Sequence, residues 1–281
     1  MGEMRRLMEQ ELRLRGYADR TVEAYVQCVK RFAAFYWRPP EEMGSEEVHG
    51  YLVHLTNENK AFSTVNQMIC ALRFFYVEVL GRADEVERVH YQKRKKQTLP
   101  SVLSPQEVSR LVRATPNLKH RTIIMALYSA GLRLSEVIGL QVGDVDSASI
   151  RVRVREAKGG RERQVMLSET LLGSLRDYYR VYRPVSWLFF GRDKGRPLSS
   201  TSIQRMIKKW AVVAGLGKRV TPHVLRHSFA THLLETGTNL RYIQELLGHK
   251  SIQTTMGYTR VSRRGATQVV SPLDRLALER S

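Results

Sequence analysis

The chain has 281 residues, enough for two domains of ordinary size, and at 42% hydrophobic and 26% charged it has the composition of a folded protein. Its 46 lysines and arginines against 27 acidic residues give a net charge of +19, which points to a polyanionic partner, nucleic acid first and an anionic membrane surface second. No apolar run approaches the ~18 residues of a membrane span, the start MGEMRRLMEQ lacks a signal-peptide core, and Cys28 and Cys70 sit in apolar helical patterns, which argues against a disulfide framework, so a cytoplasmic protein is expected.

An early helix is predicted from about Met4 to Arg15. In DRTVEAYVQCVKRFAAFYW the apolar residues Val22, Val26, Val29, Phe32 and Ala33 recur at helical spacing, with Thr21 as N-cap and Pro39-Pro40 as the stop. Another helix begins near Ser45, and STVNQMICALRFFYVEVL places Val65, Met68, Ile69, Leu72, Phe75 and Val79 on one stripe. Residues 1–82 therefore read as a helical bundle. A polar linker follows over 83–102, carrying the basic run Lys93, Arg94, Lys95 and Lys96. Phosphate contact and a plain solvated connector are both open for that run.

A second domain opens at Ser104, with Pro105 at the first helical position and Glu107 completing a capping box. Helices run through RTIIMALYSAG, ended by Gly131, and through LSEVIGL. The period then changes: Ile150, Val152 and Val154 alternate with Arg151, Arg153 and Arg155, a strand pattern. Gly159-Gly160 turns the chain into a β-hairpin with Lys158 at its tip. Helices resume in ETLLGSLRDYYRVY and STSIQRMIKKWAVVAG. The fold class is thus mainly α with a small β-hairpin or sheet in the second domain.

The stretch TPHVLRHSFATHLL packs three histidines and an arginine together. Thr221 as N-cap and Pro222 after it start a helix, and His223 and Arg226 then share one face near an N-terminus that favours anions. His223 and His227 have zinc-helix spacing, but Val224 stands where a metalloprotease motif needs glutamate, and no cysteine or acidic cluster supplies further ligands. His227 and His232 read as packing residues. The next helix is capped at Thr238 or Asn239 and ends at Gly248, directly before His249; Tyr258 lies nine residues beyond.

Taken in order, LYSAGLRLSEVIGL, AKGGRERQV and TPHVLRHSFATHLLETGTNLRYIQELLGHKSIQTTMGYT resemble the tyrosine recombinases, the phage integrase family. The resemblance covers most of the chain. It implies a SAM-like core-DNA-binding domain, a linker and a catalytic domain with a C-terminal tail helix, forming a two-domain clamp on DNA. By the same resemblance, Tyr258 would attack a phosphodiester to form a 3′-phosphotyrosyl link, on the way to a Holliday junction. Arg133 and Arg226 would hold the nonbridging oxygens, with Glu136 supporting them. His223 would transfer protons, His249 would hydrogen-bond the transition state, and Lys158 would protonate the leaving 5′-hydroxyl.

The chemistry fits these residue types. Guanidiniums are planar and always charged, suited to a phosphorane oxyanion. A tyrosine with an ordinary pKa of about 10 needs a base or a strong positive potential, and the leaving alkoxide needs an acid. Side-chain cations make a metal unnecessary, and the stored phosphotyrosyl bond makes ATP unnecessary, so no cofactor is expected. Without the helical insertion of integron integrases, or an arm-binding domain of the lambda type, the pattern favours an Xer-like or mobile-element integrase. Lys60, Ser63, Asn66 and Arg73 are the candidate DNA contacts of the first domain, and Lys93 to Lys96 those of the linker. The implied partners are double-stranded target sites and three further protomers in a tetramer, of the same chain or with a second recombinase. The tail SPLDRLALERS would dock on a neighbour or fold back on its own domain. Two rivals stay open: a type IB topoisomerase, which shares the chemistry, and a DNA-binding regulator of the same fold.

Overall fold

The computed structural model describes residues 2–93, 101–155 and 162–248. Two units divide the chain, Met1–Gln97 and Thr98–Ser281. In the first, α1 (Gly2–Leu14), α2 (Asp19–Tyr36), α3 (Ser45–Asn57) and α4 (Phe62–Phe74) pack their apolar stripes into one core. Met8, Leu12, Val22, Phe32, Val48, Met68, Leu72 and Phe75 are all buried there. Each such side chain contributes roughly 1.5–3 kcal/mol on leaving water.

The start of α2 differs from the capping expected at Thr21. Ala18, in extended conformation, occupies the N-cap with no side-chain bond, and Thr21 lies inside the first turn, its N–H donating to Ala18 O at 2.7 Å. At the other end Trp37 takes a left-handed conformation and Pro39-Pro40 turn the chain, as the sequence indicated. The stripe of α4 continues beyond its α-helical part through one wider π turn, Phe75–Val79.

In the second unit the Ser104 capping box forms: Glu107 N donates to Ser104 Oγ at 3.2 Å, and Ser104 N donates to Glu107 Oε2 at 2.7 Å. It opens α5 (Pro105–Arg113), followed by α6 (Leu118–Ser129) and α7 (Leu134–Gly139). The hairpin is part of a three-stranded antiparallel sheet of β1 (Val145–Asp146), β2 (Arg151–Val154) and β3 (Arg163–Met166). Strand β1, two residues long, is too short to show any alternation in sequence. Val152 pairs with Val165 and Val154 with Arg163, so Arg163 shares the inward parity of the valines. The helices α8 (Glu169–Tyr182), α9 (Ser200–Val213), α10 (Pro222–Glu235) and α11 (Leu240–Leu247) complete the unit around Ile123, Leu127, Leu132, Val137, Tyr178 and Leu225.

Several helices of this unit end at a glycine, and two of these ends meet in one cluster. Gly131 closes the turn after α6 at φ +58°, and Gly248 closes α11 at φ +61°. Both φ values favour glycine. Phe229 of α10 and Leu247 of α11 press on Gly131 so closely that a Cβ there would lie 2.5 Å from the Phe229 ring.

Candidate active site

The local sequence LRLSEV folds so that Arg133 immediately precedes α7. The Arg133 backbone N–H donates to Glu136 Oε2 at 2.7 Å while its Nη1 donates to Glu136 Oε1 at 2.8 Å. Glu136 thus caps its own helix and grips the side chain that begins it. The carboxylate is buried, with its side chain only 6% exposed. Such a charge needs partners.

Its main partner was not singled out from the sequence. Arg163 of β3 binds Glu136 with both ends of its fork, Nη1 to Oε1 at 2.9 Å and Nη2 to Oε2 at 2.8 Å. Arg226 of α10 lies 3.8 Å from Oε2. Burial pushes the Glu136 pKa up, but the hydrogen bonds and charge of Arg163, the Arg133 N–H and the charge of Arg226 outweigh it, and the net shift is downward. Glu136 is therefore ionised at neutral pH. Three guanidiniums share that single carboxylate, leaving the cluster cationic.

The same three arginines converge on the C-terminal carbonyls of α11. Arg163 Nε donates to Leu246 O at 3.0 Å, Arg226 Nη2 to Leu247 O at 2.6 Å and Arg133 Nη2 to Gly248 O at 2.8 Å. Arg226 Nη1 also donates to Gly131 O at 2.6 Å. Carbonyls at a helix C-terminus lack helical partners and carry partial negative charge, which suits guanidinium donors. Residues remote in the chain, from α7, β3, α10 and α11, are thereby tied into one cluster. Arg226 is almost wholly buried, while the Arg133 side chain is 34% exposed.

Thr221 caps α10 through the Val224 N–H at 3.2 Å, with Pro222 at the first position, as the sequence indicated. His223 stands exposed on that first turn, one turn before Arg226. Its ring stacks on that of His227, centroids 5.8 Å apart. Burial, His223 and Arg226 together hold the His227 pKa below its ordinary value. His232 bonds the Tyr128 hydroxyl through Nδ1 at 2.9 Å, tying α10 to α6. Among the described residues no three His, Cys, Asp or Glu side chains gather to hold a metal. No described helix is long and apolar enough to cross a membrane.

The structure thus brings Arg133, Glu136 and Arg226 together, with His223 on the same helix as Arg226. Lys158, His249 and Tyr258 lie outside the described residues, as do the tail and the linker residues Arg94, Lys95 and Lys96. Arg163 carried one signal in the sequence: it sits at the inward parity of β3, where a charge requires a buried partner.

In the first unit the four expected DNA contacts divide into two kinds. Lys60 and Ser63 are exposed, Lys60 beside Glu58 at 3.2 Å. Asn66 and Arg73 instead hold the chain that leaves the bundle. Gln92 N donates to Asn66 Oδ1 at 2.9 Å and Asn66 Nδ2 donates to Gln92 O at 3.2 Å. Arg73 Nη1 donates to Val89 O at 3.3 Å, and its guanidinium lies over the Tyr91 ring. Lys93 comes directly after Gln92 and is exposed.

Comparison with known proteins adds to this geometry. Residues 101–264 match the model of the phage integrase family, and residues 4–84 that of the phage integrase N-terminal SAM-like domain. An integrase/recombinase of Sinorhizobium fredii is 39% identical over 98% of this chain and 90% of its own length. The tyrosine recombinase XerA of Pyrococcus horikoshii is 33% identical, covering 92% of this chain and 89% of its own. Among solved structures, a lambda integrase tetramer bound to a Holliday junction aligns with a TM-score of 0.73 at 20% identity, over 92% of this chain and 76% of that one. That likeness is one of fold.

Proposed function

The chain belongs to the phage integrase family of tyrosine recombinases, and from that premise we propose that it is a site-specific recombinase that cuts and rejoins DNA through a 3′-phosphotyrosyl intermediate. The observation that carries the reading is the convergence of Arg133 and Arg226 on buried, ionised Glu136. Two fixed guanidiniums around one shared carboxylate form a preorganised cationic seat for a phosphodiester. Being held by helix-end carbonyls, they need little rearrangement as negative charge builds on the nonbridging oxygens.

The remaining roles rest on the motif positions. Tyr258 is the nucleophile, its hydroxyl losing a proton as the Tyr258–phosphorus bond forms and the bond to the 5′-oxygen breaks. His223, on the first turn of α10, takes part in that proton transfer. Lys158 protonates the departing 5′-oxygen, and His249, next to Gly248, hydrogen-bonds the phosphorane. The phosphotyrosyl bond conserves the energy of the cleaved bond, so rejoining to a new 5′-hydroxyl requires neither metal nor ATP in this scheme. The net charge of +19 serves binding to duplex DNA, with affinity dominated by phosphate contacts. In the first unit Lys60, Ser63 and Lys93 are the proposed contacts, together with Asn66 and Arg73, which also hold the segment leading to Lys93. Exchange of strands between two sites calls for four protomers, of this chain alone or with a second recombinase, in the cytoplasm where chromosomal DNA is reached.

The test is a nicked suicide duplex drawn from DNA flanking the gene, incubated with the wild-type chain and with Tyr258→Phe. The expected result is a denaturation-resistant protein–DNA adduct that is absent from the variant. Specific duplex binding with no adduct from either protein refutes the catalytic reading in favour of a binding protein. Relaxation of supercoiled DNA lacking paired sites favours a topoisomerase.

A further inference from the structure

We infer that Arg163 is a positioning residue for the strand-transfer reaction: it occupies Glu136 and fastens the end of α11, so that the charge of Arg133 and Arg226 is presented to DNA phosphate rather than spent on Glu136. The inference rests on the recombinase reading and adds a residue to it.

The geometry separates the roles of the three arginines. Arg163 alone takes Glu136 with both Nη atoms, at 2.9 and 2.8 Å, while Arg133 reaches it with one side-chain donor and Arg226 stays 3.8 Å away. A bidentate, charge-assisted pair of this kind is roughly twice as strong per bond as a neutral one and fixes the geometry of both groups. The Arg163 side chain is 14% exposed, recessed relative to Arg133 at 34%, and its Nε and both Nη atoms all have acceptors within the protein. Its third donor, Nε, holds Leu246 O. One planar group therefore joins β3, α7 and α11, and two of the joined segments lead directly to residues of the proposed chemistry. The segment before β3 contains Lys158, and the residue after Gly248 is His249.

The surroundings are shaped for this guanidinium. A Cβ at Gly248 would come within 3.1 Å of Arg163 Nη1 and 3.3 Å of its Cδ, so the absence of a side chain at that helix end permits the approach. Without Arg163, each buried Glu136 oxygen would keep a single hydrogen bond, both from Arg133. Arg133 and Arg226 are the cations at hand, and Glu136 would draw them inward. Lysine in its place keeps the charge, but a point charge cannot serve both carboxylate oxygens and the Leu246 carbonyl together.

The experiment compares Arg163→Lys, Arg163→Gln, Glu136→Gln and the double variant R163Q/E136Q. It uses the full chain on the suicide duplex cleaved by the wild-type enzyme, measuring duplex affinity, melting temperature and the single-turnover rate of adduct formation. R163Q is expected to slow adduct formation about 100-fold, and R163K about tenfold, the scale on which misplaced catalytic groups lose rate. Duplex affinity should hold within about threefold, since a guanidinium whose nitrogens already serve Glu136 and Leu246 O is not the one offered to phosphate. The double variant should recover about tenfold over R163Q, because removing the carboxylate removes what Arg163 restrains. A purely structural residue would not show that recovery, and neither would one that touches phosphate itself. R163K at the wild-type rate overturns the inference while leaving the recombinase reading intact, and so does a double variant no faster than R163Q. If R163Q does not fold, R163K decides by its own rate. A wild-type chain that binds its duplex and forms no adduct refutes the recombinase reading first.

Discussion

Replacing Gly131 by alanine tests the reasoning that two helix ends build this site. The added Cβ would meet the Phe229 ring at 2.5 and 2.6 Å and a Leu247 methyl at 3.0 Å, closer than real side chains come. Gly131 also has φ +58°, which costs an L-residue roughly 1–2 kcal/mol. Relieving the overlap by moving packed neighbours adds about 1–3 kcal/mol. The expected destabilisation is then about 2–5 kcal/mol, or a fall in melting temperature of roughly 4–20 °C for a unit of this size. Tryptophan fluorescence can follow it in the right unit. Trp37 is 92% exposed and changes little on unfolding, so the signal comes from Trp187 and Trp210 of the second unit. The variant should also lose adduct formation beyond its loss of stability. Phe229 and Leu247 are the atoms that must move, and Leu247 O and Gly131 O are what Arg226 holds. A G131A protein with an unchanged urea midpoint and an unchanged adduct rate would refute the account.

Two further expectations rest on the same kind of contact. Glu136→Gln should cost about 3–5 kcal/mol at neutral pH by leaving three buried or half-buried guanidiniums without their shared carboxylate. Glu136 titrates below its ordinary value in the folded state, so its contribution is present above the unfolded carboxylate pKa of about 4.3 and is lost as pH falls through the lower folded value. Urea midpoints between pH 7 and 3 should converge for wild type and E136Q; parallel curves would count against the assignment. Asn66→Ala should release the chain after the bundle, since its amide both donates to and accepts from Gln92. Limited trypsin cleavage at Arg88 or Lys93 should then speed up roughly 5- to 30-fold, for a lost restraint of about 1–2 kcal/mol. An unchanged cleavage rate would mean that Asn66 does not hold the segment.

Much of the architecture was legible from local chemistry. The Ser104-Pro105-Glu107 box and the Thr221-Pro222 start satisfy donors within a few residues, so their effect is complete in the sequence itself. Gly131 and Gly248 mark helix ends because the left-handed turn they make is a property of the residue alone. Alternating valines and arginines dictate a half-buried strand for the same reason. Where a local signal had a competitor it misled: Thr21 is a good cap, but the chain entered its helix earlier, at Ala18. Asn66 and Arg73, expected by type as DNA contacts, also bond peptide groups of Val89 and Gln92, partners that no local pattern announces.

The cluster around Glu136 was only half visible, and for a physical reason. Its members come from four separate elements, and most of their acceptors are backbone carbonyls, which no residue type announces. Which carbonyl an arginine reaches depends on how α6, α7, β3, α10 and α11 pack, and that packing is settled by the buried apolar residues rather than by the charged ones. The order and spacing of its motifs identified the arginines and the family of this chain. Tertiary structure alone decided that Arg163 joins them on Glu136, because burial of that carboxylate is what demands a second full partner.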